Sequence, residues 1–217
     1  DHRETDSDNL RESVGTMRPK MKKIGIFGGS FDPPHIGHLI IAELARRALD
    51  LEIVYLVPAY RPPHKAGKHA STAGDRLKMT KLSVRGNPGL RVSDIEIRRK
   101  GLSYTVDTVR TFHRRFPASE LFLIIGSDSL HQFYSWKDPQ AILALATLAV
   151  YRRPRRAPGK WKQSKSKLLF IKGPMMELAS SDIRKRICDG KTIHYMVREN
   201  VHAFITRNRL YQSPIAK

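Results

Sequence analysis

Short apolar runs alternate along the chain with segments in which apolar residues recur every three or four positions. The runs predict strands that are buried on both faces, because such strands are apolar at nearly every position. These predicted strands lie at 22–27, 51–57, 90–97, 121–125, 148–151 and 168–171. The spaced segments predict helices at 36–49, 74–84, 105–116, 140–145, 181–188 and 199–206.

The alternation of strand and helix predicts an α/β fold, with a doubly wound parallel sheet of the Rossmann-like type and a small C-terminal helical part. Residues 1–20 carry several acids and no apolar pattern, and we expect them to form a flexible N-terminal extension. A single domain is expected over 21–217, which is long enough to bury its own core. Open parallel sheets bind ligands at the carboxyl ends of their strands, so chemistry is expected in the turns that follow the strands.

A net charge of +20 over 217 residues favours acidic partners, namely nucleic acid, anionic membranes or phosphorylated small molecules. The segment from Arg152 to Lys167 has eight Lys and Arg residues, no acids, two prolines and one glycine. Because its charges show no amphipathic period, we interpret it as a solvated surface loop rather than a nucleic-acid site. Nucleic acid is therefore not an expected partner.

The lengths of the apolar runs and the cysteine content exclude further kinds of protein. The longest near-apolar run, 141–151, is shorter than the roughly 20 residues that span a bilayer, so no membrane partner is expected. The single cysteine, Cys188, excludes an internal disulfide framework and a Cys-based zinc cluster. We expect a cytoplasmic protein. The sequence leaves open whether the chain forms a homo-oligomer.

Two glycines and two histidines follow the first predicted strand. Gly28 and Gly29 allow a ligand to approach the backbone closely. His35 and His38 are three positions apart at the start of a predicted helix, so they share one face beside backbone N–H groups that have no intrahelical partner. Imidazole donors at the positive end of a helix suit a polyphosphate. A surface pair or a zinc half-site remains the alternative for the two histidines alone.

The segment from Gly28 to Leu39, G-G-S-F-D-P-P-H-I-G-H-L, resembles the signature of the nucleotidyltransferase superfamily, whose H-x-G-H motif is shared with class I aminoacyl-tRNA synthetases. Further segments, in the same order along the chain, resemble motifs of the bacterial nicotinate-mononucleotide adenylyltransferases. They are Pro62-Pro63-His64-Lys65, Tyr104-Thr105-Val106-Asp107-Thr108, Gly126-Ser127-Asp128 with Trp136, Arg153-Pro154, and Leu178-Ala179-Ser180-Ser181-Asp182-Ile183-Arg184. The resemblance covers 22–211 and implies the nucleotidyltransferase form of the Rossmann-like fold.

The resemblance also implies a reaction, the transfer of AMP from ATP to nicotinate mononucleotide in NAD biosynthesis, and it implies roles for individual residues. The implied catalytic residues are His35, His38 and Arg184. The implied ATP-binding residues are Gly28, Gly29, Ser30, Phe31, Gly126, Asp128, Arg153, Ser180 and Ser181. The implied mononucleotide-binding residues are His64, Lys65, Tyr104, Thr105 and Trp136. Mg²⁺ is expected as the cofactor, bound mainly through the ATP phosphates, with no protein metal site.

The chain departs from the family pattern at three positions. Ala179 stands where Ser is usual, Ser181 where Thr is frequent, and Arg198 where a Pro commonly occurs. The first two put one hydroxyl contact in doubt, whereas Ser180 and Ser181 retain theirs. None of the three removes a group that the reaction needs.

Other functions remain open from the sequence. Phosphopantetheine adenylyltransferases share G-x-F-D-P and x-x-G-H, but they typically have Thr at the position of His35 and lack the P-P-H-K and Y-T-x-D-T segments. A sibling enzyme that prefers nicotinamide mononucleotide is poorly separated by sequence alone. A nucleic-acid-binding module is compatible with the charge, although no groove-fitting motif supports it.

Overall fold

The structure, a computed structural model, describes residues 21–63, 70–152, 167–174 and 176–212. Its strands are β1 (Lys22–Gly29), β2 (Ile53–Pro58), β3 (Leu90–Val92), β4 (Ser119–Gly126), β5 (Thr147–Tyr151) and β6 (Leu168–Ile171). Its helices are α1 (Ile36–Ala48), α2 (Ala73–Val84), α3 (Ile95–Arg99), α4 (Thr105–Arg115), α5 (Ser127–His131), α6 (Pro139–Leu145), α7 (Ser180–Cys188) and α8 (Glu199–Arg207). A 3-10 turn spans Phe133–Ser135. The predicted N-terminal extension, 1–20, lies outside the described residues, as does most of the basic segment that follows Arg152.

The six strands form one sheet in the order β3-β2-β1-β4-β5-β6, and every neighbouring pair is parallel. This order places β1 at the centre, where the chain winds outward first to one side and then to the other. The predicted doubly wound parallel sheet is therefore confirmed. In such a sheet the connections diverge at the switch point, here between β1 and β4, and leave a crevice at the carboxyl ends of those two strands.

Both faces of the sheet are buried, which explains why the strands are apolar at nearly every position. In β4, Leu121 and Leu123 belong to one core cluster, whereas Phe122 and Ile124 belong to a cluster on the opposite face. A third cluster joins the last two helices to Met79 of α2. This third cluster is the predicted C-terminal helical part, packed beside the sheet rather than on it.

The predicted strand at 90–97 is wrong in its second half. The strand ends at Val92, its last partner on β2 being Leu56, and α3 begins at Ile95. Within this segment the buried side chain is that of Glu96, whereas Ile95 and Ile97 on either side of it are only partly buried. Helix α5 and the 3-10 turn were not predicted, because elements of five and three residues are too short to show a hydrophobic period.

No helix among the described residues combines the length and the apolar character that crossing a membrane requires.

Candidate active site at the switch point of the sheet

The turn after β1 brings backbone to the open edge of the sheet. A Cβ atom built on Gly28 meets no atom within 4 Å, so the space above this residue is open. A Cβ on Gly29 would instead lie 3.0 Å from the ring of Phe31, which is buried beneath the turn with a φ of 49°. Phe31 packs edge-on against Phe27 at 5.8 Å between ring centroids and thereby fixes the turn from below. The predicted ATP-binding residues Gly28 to Phe31 thus follow one another at the carboxyl end of β1, with Gly28 exposed and Phe31 buried.

The two histidines of H-x-G-H lie together at the start of α1. Their ring centroids are 3.7 Å apart, and the backbone N–H of His35 donates to Nδ1 of His38 at 3.1 Å. Because Nδ1 accepts this bond, the proton of a neutral His38 ring is on Nε2, which can then donate to an anion. A Cβ on Gly37 would lie 3.0 Å from Nδ1 of His35, so any larger residue at position 37 requires this ring to shift slightly. The spacing of the motif therefore has a packing reason as well as a chemical one.

Helix α7 is tied to the same turn by two hydrogen bonds across nearly 150 residues of sequence. Ser180 Oγ donates to the carbonyl of Pro33 at 2.8 Å, and Arg184 Nη1 donates to the carbonyl of Asp32 at 2.8 Å. The Nε of Arg184 is buried and has no hydrogen-bond partner within the part of the chain that the structure describes. Ser181, by contrast, is exposed. The structure therefore brings the predicted residues Ser180 and Arg184 to the histidine pair.

Asp32 connects the turn to two other parts of the chain, a role that the sequence did not reveal. Its buried carboxylate accepts from the N–H of Ala70 at 2.9 Å, from Ser71 Oγ at 2.5 Å and from the hydroxyl of Tyr211 at 2.7 Å. Burial, with the nearby carboxylate as the next cause, raises the pKa of Tyr211, so this hydroxyl keeps its proton and donates. The turn that carries the histidines is thus fixed from below by a carboxylate.

Arg76 of α2 is a second supporting residue that sequence patterns did not indicate. Its side chain is only 1% exposed, and Nη1 donates to the carbonyl of Ser30 at 3.1 Å and to that of Ala59. Nη2 donates to the carbonyl of Tyr60 at 3.1 Å. Burial lowers the pKa of Arg76, and Asp32 opposes this shift. A buried guanidinium therefore joins the ends of β1 and β2, and only its partners in the folded chain distinguish it from a surface arginine.

The end of β4 forms the other wall of the crevice. Gly126 is the last residue of the strand and precedes α5, and Asp128 lies in the first turn of that helix. The neighbouring strand β5 ends at Tyr151, which pairs in register with Gly126. The predicted ATP-binding residue Arg153 would follow this strand, but it lies outside the described residues.

The start of α4, which carries the predicted residues Tyr104 and Thr105, lies beside the segment that follows β2. Ser103 Oγ accepts from the N–H groups of Tyr60 and Arg61 at 2.9 and 3.2 Å, and the N–H of Ser103 donates to the carbonyl of Arg61 at 2.9 Å. These bonds hold the segment after β2 beside the start of α4, where Tyr104 precedes the helix and Thr105 is its first residue.

A buried carboxyl supports the start of α4. Thr108 of α4 donates to Oε1 of Glu96 at 2.5 Å, and Glu96 is only 6% exposed. Burial raises the pKa of Glu96, while hydrogen bonds from Thr108 and Ser103 oppose the shift. The start of α4 is therefore anchored to α3 from below, which the apolar pattern around Glu96 did not predict.

Trp136 lies on the same side of the molecule as Tyr104. The Nζ of Lys137 is 4.3 Å from the centroid of the Tyr104 ring, and Trp136 packs against Phe133 at 5.5 Å between ring centroids. Both Tyr104 and Trp136 are partly buried against the core. The predicted residues His64 and Lys65 would follow the same segment after β2, but they lie outside the described residues.

Comparisons with known proteins identify the family of this chain. Residues 26–186 match the family described as cytidylyltransferase-like. A nicotinate-nucleotide adenylyltransferase of Desulfitobacterium hafniense is 38% identical over 199 residues, which covers 88% of this chain and 96% of the relative. One of the same name from Thermomicrobium roseum is 38% identical over 203 residues, covering 89% and 93%.

The fold also matches a solved structure. The nicotinic acid mononucleotide adenylyltransferase of Plasmodium falciparum, complexed with NaAD, is 18% identical, with a TM-score of 0.72 over 90% of this chain and all of that one. At that identity the likeness concerns the fold alone. The curated relatives and the family match carry the assignment: the chain belongs to the cytidylyltransferase-like family and, within it, to the nicotinate-nucleotide adenylyltransferases.

Proposed function

We propose that this protein transfers AMP from ATP to nicotinate mononucleotide, giving nicotinate adenine dinucleotide and pyrophosphate in NAD biosynthesis. The observation that carries the proposal is the convergence of His35, His38 and Arg184 on the turn that follows β1. These residues place two imidazoles and a guanidinium at the switch point of a parallel sheet, where nucleotides bind in such folds. The near full-length similarity to nicotinate-nucleotide adenylyltransferases supports the same reaction.

The reaction needs positioning and charge neutralisation rather than a strong base. An oxygen of the acceptor phosphate, ionised near neutral pH, forms a bond to the α-phosphorus of ATP, and the bond from that phosphorus to the pyrophosphate oxygen breaks. Catalysis then comes from aligning two anions and stabilising the charge that develops on the phosphoryl oxygens. His38 would donate from Nε2, His35 would lie beside it, and Arg184 would face the leaving pyrophosphate.

The adenosine and the mononucleotide would occupy opposite sides of the crevice. Asp128 and Gly126, at the end of β4, suit the adenosine, with Arg153 along the same edge. Gly28 to Phe31 would underlie the phosphates, and Ser180 and Ser181 would contribute at the start of α7.

On the other side, Tyr104 and Trp136 offer aromatic surface for the pyridine ring. Thr105 stands at the start of α4, where backbone N–H groups suit the nicotinate carboxylate. His64 and Lys65 would receive the acceptor phosphate.

The donor set fits a magnesium ion that arrives on the nucleotide. The carboxylate of Asp32 already accepts three hydrogen bonds from its own chain, and the other groups at the turn are nitrogen donors, which Mg²⁺ disfavours. The phosphates would therefore supply most of its oxygen ligands. Bound in this way, the ion neutralises charge on the phosphates. A cytoplasmic location, where ATP is made available, agrees with the single cysteine.

The deciding experiment measures pyrophosphate release from ATP and Mg²⁺ with three acceptors in parallel: nicotinate mononucleotide, nicotinamide mononucleotide and phosphopantetheine. We expect strong preference for the first. Preference for another acceptor would mean that the protein transfers AMP from ATP but has the activity of a sibling family. Absence of release with all three, from folded protein that binds ATP, would overturn the proposal.

A further inference from the structure

Three potential metal ligands lie together away from the crevice. They are His194, Glu199 and His202, and their ligand atoms all fall within 4.8 Å of one another. Nδ1 of His194 is 4.0 Å from Oε2 of Glu199, and the two imidazole centroids are 4.5 Å apart. We propose that these side chains form a binding site for a divalent transition-metal ion of the zinc class. The site is independent of the adenylyl-transfer reaction.

The local backbone explains why the three side chains meet. Glu199 is the first residue of α8 and His202 is three positions later, so both lie on one face of the helix. His194 comes from the preceding segment, where its N–H donates to Thr192 Oγ1 at 3.2 Å. Tyr195 then has a φ of 64°, a left-handed conformation that turns the chain back toward the helix. The arrangement therefore combines one helix face with one turn.

The chemistry of the ligands selects the class of ion. Two imidazoles and one carboxylate are a set used by catalytic zinc sites, which leave the fourth position to water. Magnesium and calcium prefer oxygen ligands, so they are disfavoured here. Tetrahedral zinc with bonds of about 2.0–2.1 Å holds its ligand atoms roughly 3.4 Å apart, so separations of up to 4.8 Å must contract by up to about 1.4 Å. His194 and Glu199 are more than half exposed, and their side chains can make this movement by rotation.

Electrostatics at the site is mixed but permits a cation. The start of α8 is the positive end of the helix dipole, which opposes a cation. The carboxylate of Glu199 lies at that same end and offsets it. The imidazoles bind the ion as neutral ligands, so they add no positive charge of their own to the site.

The position of the site connects it to the catalytic turn. The carbonyl of Met196, two residues after His194, accepts a hydrogen bond at 2.9 Å from the N–H of Ile36, the first residue of α1. An ion that joins His194 to His202 would close the segment between them into a loop. It would therefore stabilise the segment on which the start of α1 rests.

The test titrates the full-length protein with zinc alone, against a chromophoric chelator, and uses cobalt as a spectroscopic probe. We expect saturable binding and the intense visible bands of four-coordinate cobalt. His194→Ala and His202→Ala should each weaken zinc binding at least about tenfold, since changing even the groups behind metal ligands costs about 10–100-fold. Glu199→Gln keeps the shape of the side chain nearly constant and removes its charge, so it tests what the carboxylate contributes to zinc binding. His113→Ala, which removes an exposed histidine from α4, is the matched control and should change nothing.

Thermal unfolding gives a second readout that does not depend on the enzyme reaction. Zinc should raise the Tm of the wild-type protein and leave that of His202→Ala unchanged. The idea is overturned if the histidine variants bind zinc as tightly as wild type, or if no saturable binding occurs. Loss of binding in His38→Ala instead would assign the ion to the catalytic pair and equally reject the site. Circular dichroism of each variant separates loss of the ligand from loss of the fold.

Discussion

The two nitrogens of His38 have different tasks. Nδ1 accepts from the backbone N–H of His35, which orients the ring, and in the proposed reaction Nε2 would donate to a phosphoryl oxygen. We expect His38→Ala to lower kcat by about 10²–10³, because losing one transition-state donor costs about 3–4 kcal/mol. Steady-state kinetics with ATP and nicotinate mononucleotide measures this change, with His113→Ala as the control. Near-normal kcat in folded His38→Ala protein would remove the residue from the mechanism.

Gly28, near the end of β1, and Gly37, the second residue of α1, give a matched pair of substitutions. A methyl group on Gly37 would press on the ring of His35, whereas one on Gly28 would enter open space. Gly37→Ala should therefore lower kcat. Gly28→Ala should raise the KM for ATP while leaving the free energy of unfolding equal or higher by up to about 1 kcal/mol.

Denaturant unfolding and steady-state kinetics of the two glycine variants check this contrast. An unchanged KM for ATP in Gly28→Ala would mean that the space above Gly28 does not hold the nucleotide. An unchanged kcat in Gly37→Ala would mean that the ring of His35 tolerates displacement.

At the level of elements, α1 is anchored at its far end by a charge cluster. Glu43 accepts from Arg46 at 2.7 and 3.0 Å, from Arg47 at 3.0 Å and from Asn87 at 3.3 Å. The bond from Arg46 is the largest cause that lowers the pKa of Glu43 to about 2 from 4.5. Because the folded pKa lies below the unfolded one, this carboxylate stabilises the fold above pH 4.5 and loses its effect as the pH falls toward 2.

Glu43→Gln tests this pH dependence. The side chain is one-third exposed, so the loss of stability at pH 7 should be modest, about 0.5–1 kcal/mol. The difference from wild type should shrink as the pH is lowered below 4.5. Denaturant unfolding at several pH values measures it. A difference that stays constant from pH 7 to pH 3 would indicate lost packing rather than lost charge.

Sequence patterns predicted the long elements, but not the buried residues that support the candidate site. Helix α1 has apolar residues at helical spacing. Strand β4 is a continuous apolar run, because both faces of the sheet are buried. Arg76 and Asp32 carry no such signal. Their partners are distant in sequence, and nothing in a local window distinguishes a buried charge from an exposed one. The burial of Glu96 was not predicted either, because a charged residue between two isoleucines gives no sign that it, rather than they, is the buried one.

At the scale of the whole molecule, the charge of +20 should assist the capture of substrates, since ATP and the mononucleotide are anions. We expect kcat/KM to fall as salt rises from about 10 to 150 mM, because the screening length shortens from about 30 to 8 Å. The kcat should change little, since bound substrates are already in place. Stopped-flow binding of ATP, with sucrose as a non-ionic control, checks the prediction. An unchanged association rate would show that the charge acts elsewhere.

The hydrogen bond between Tyr211 and Asp32 joins residues 179 positions apart. During synthesis, all six strands have been made before residue 211 is added, so a growing chain can assemble its sheet while Asp32 still lacks this donor. The turn that precedes His35 and His38 therefore receives this support only after the six strands and α8 have been made. We therefore expect each molecule to form its sheet before it becomes active. Nucleotide binding should begin only after the C-terminal helices have docked.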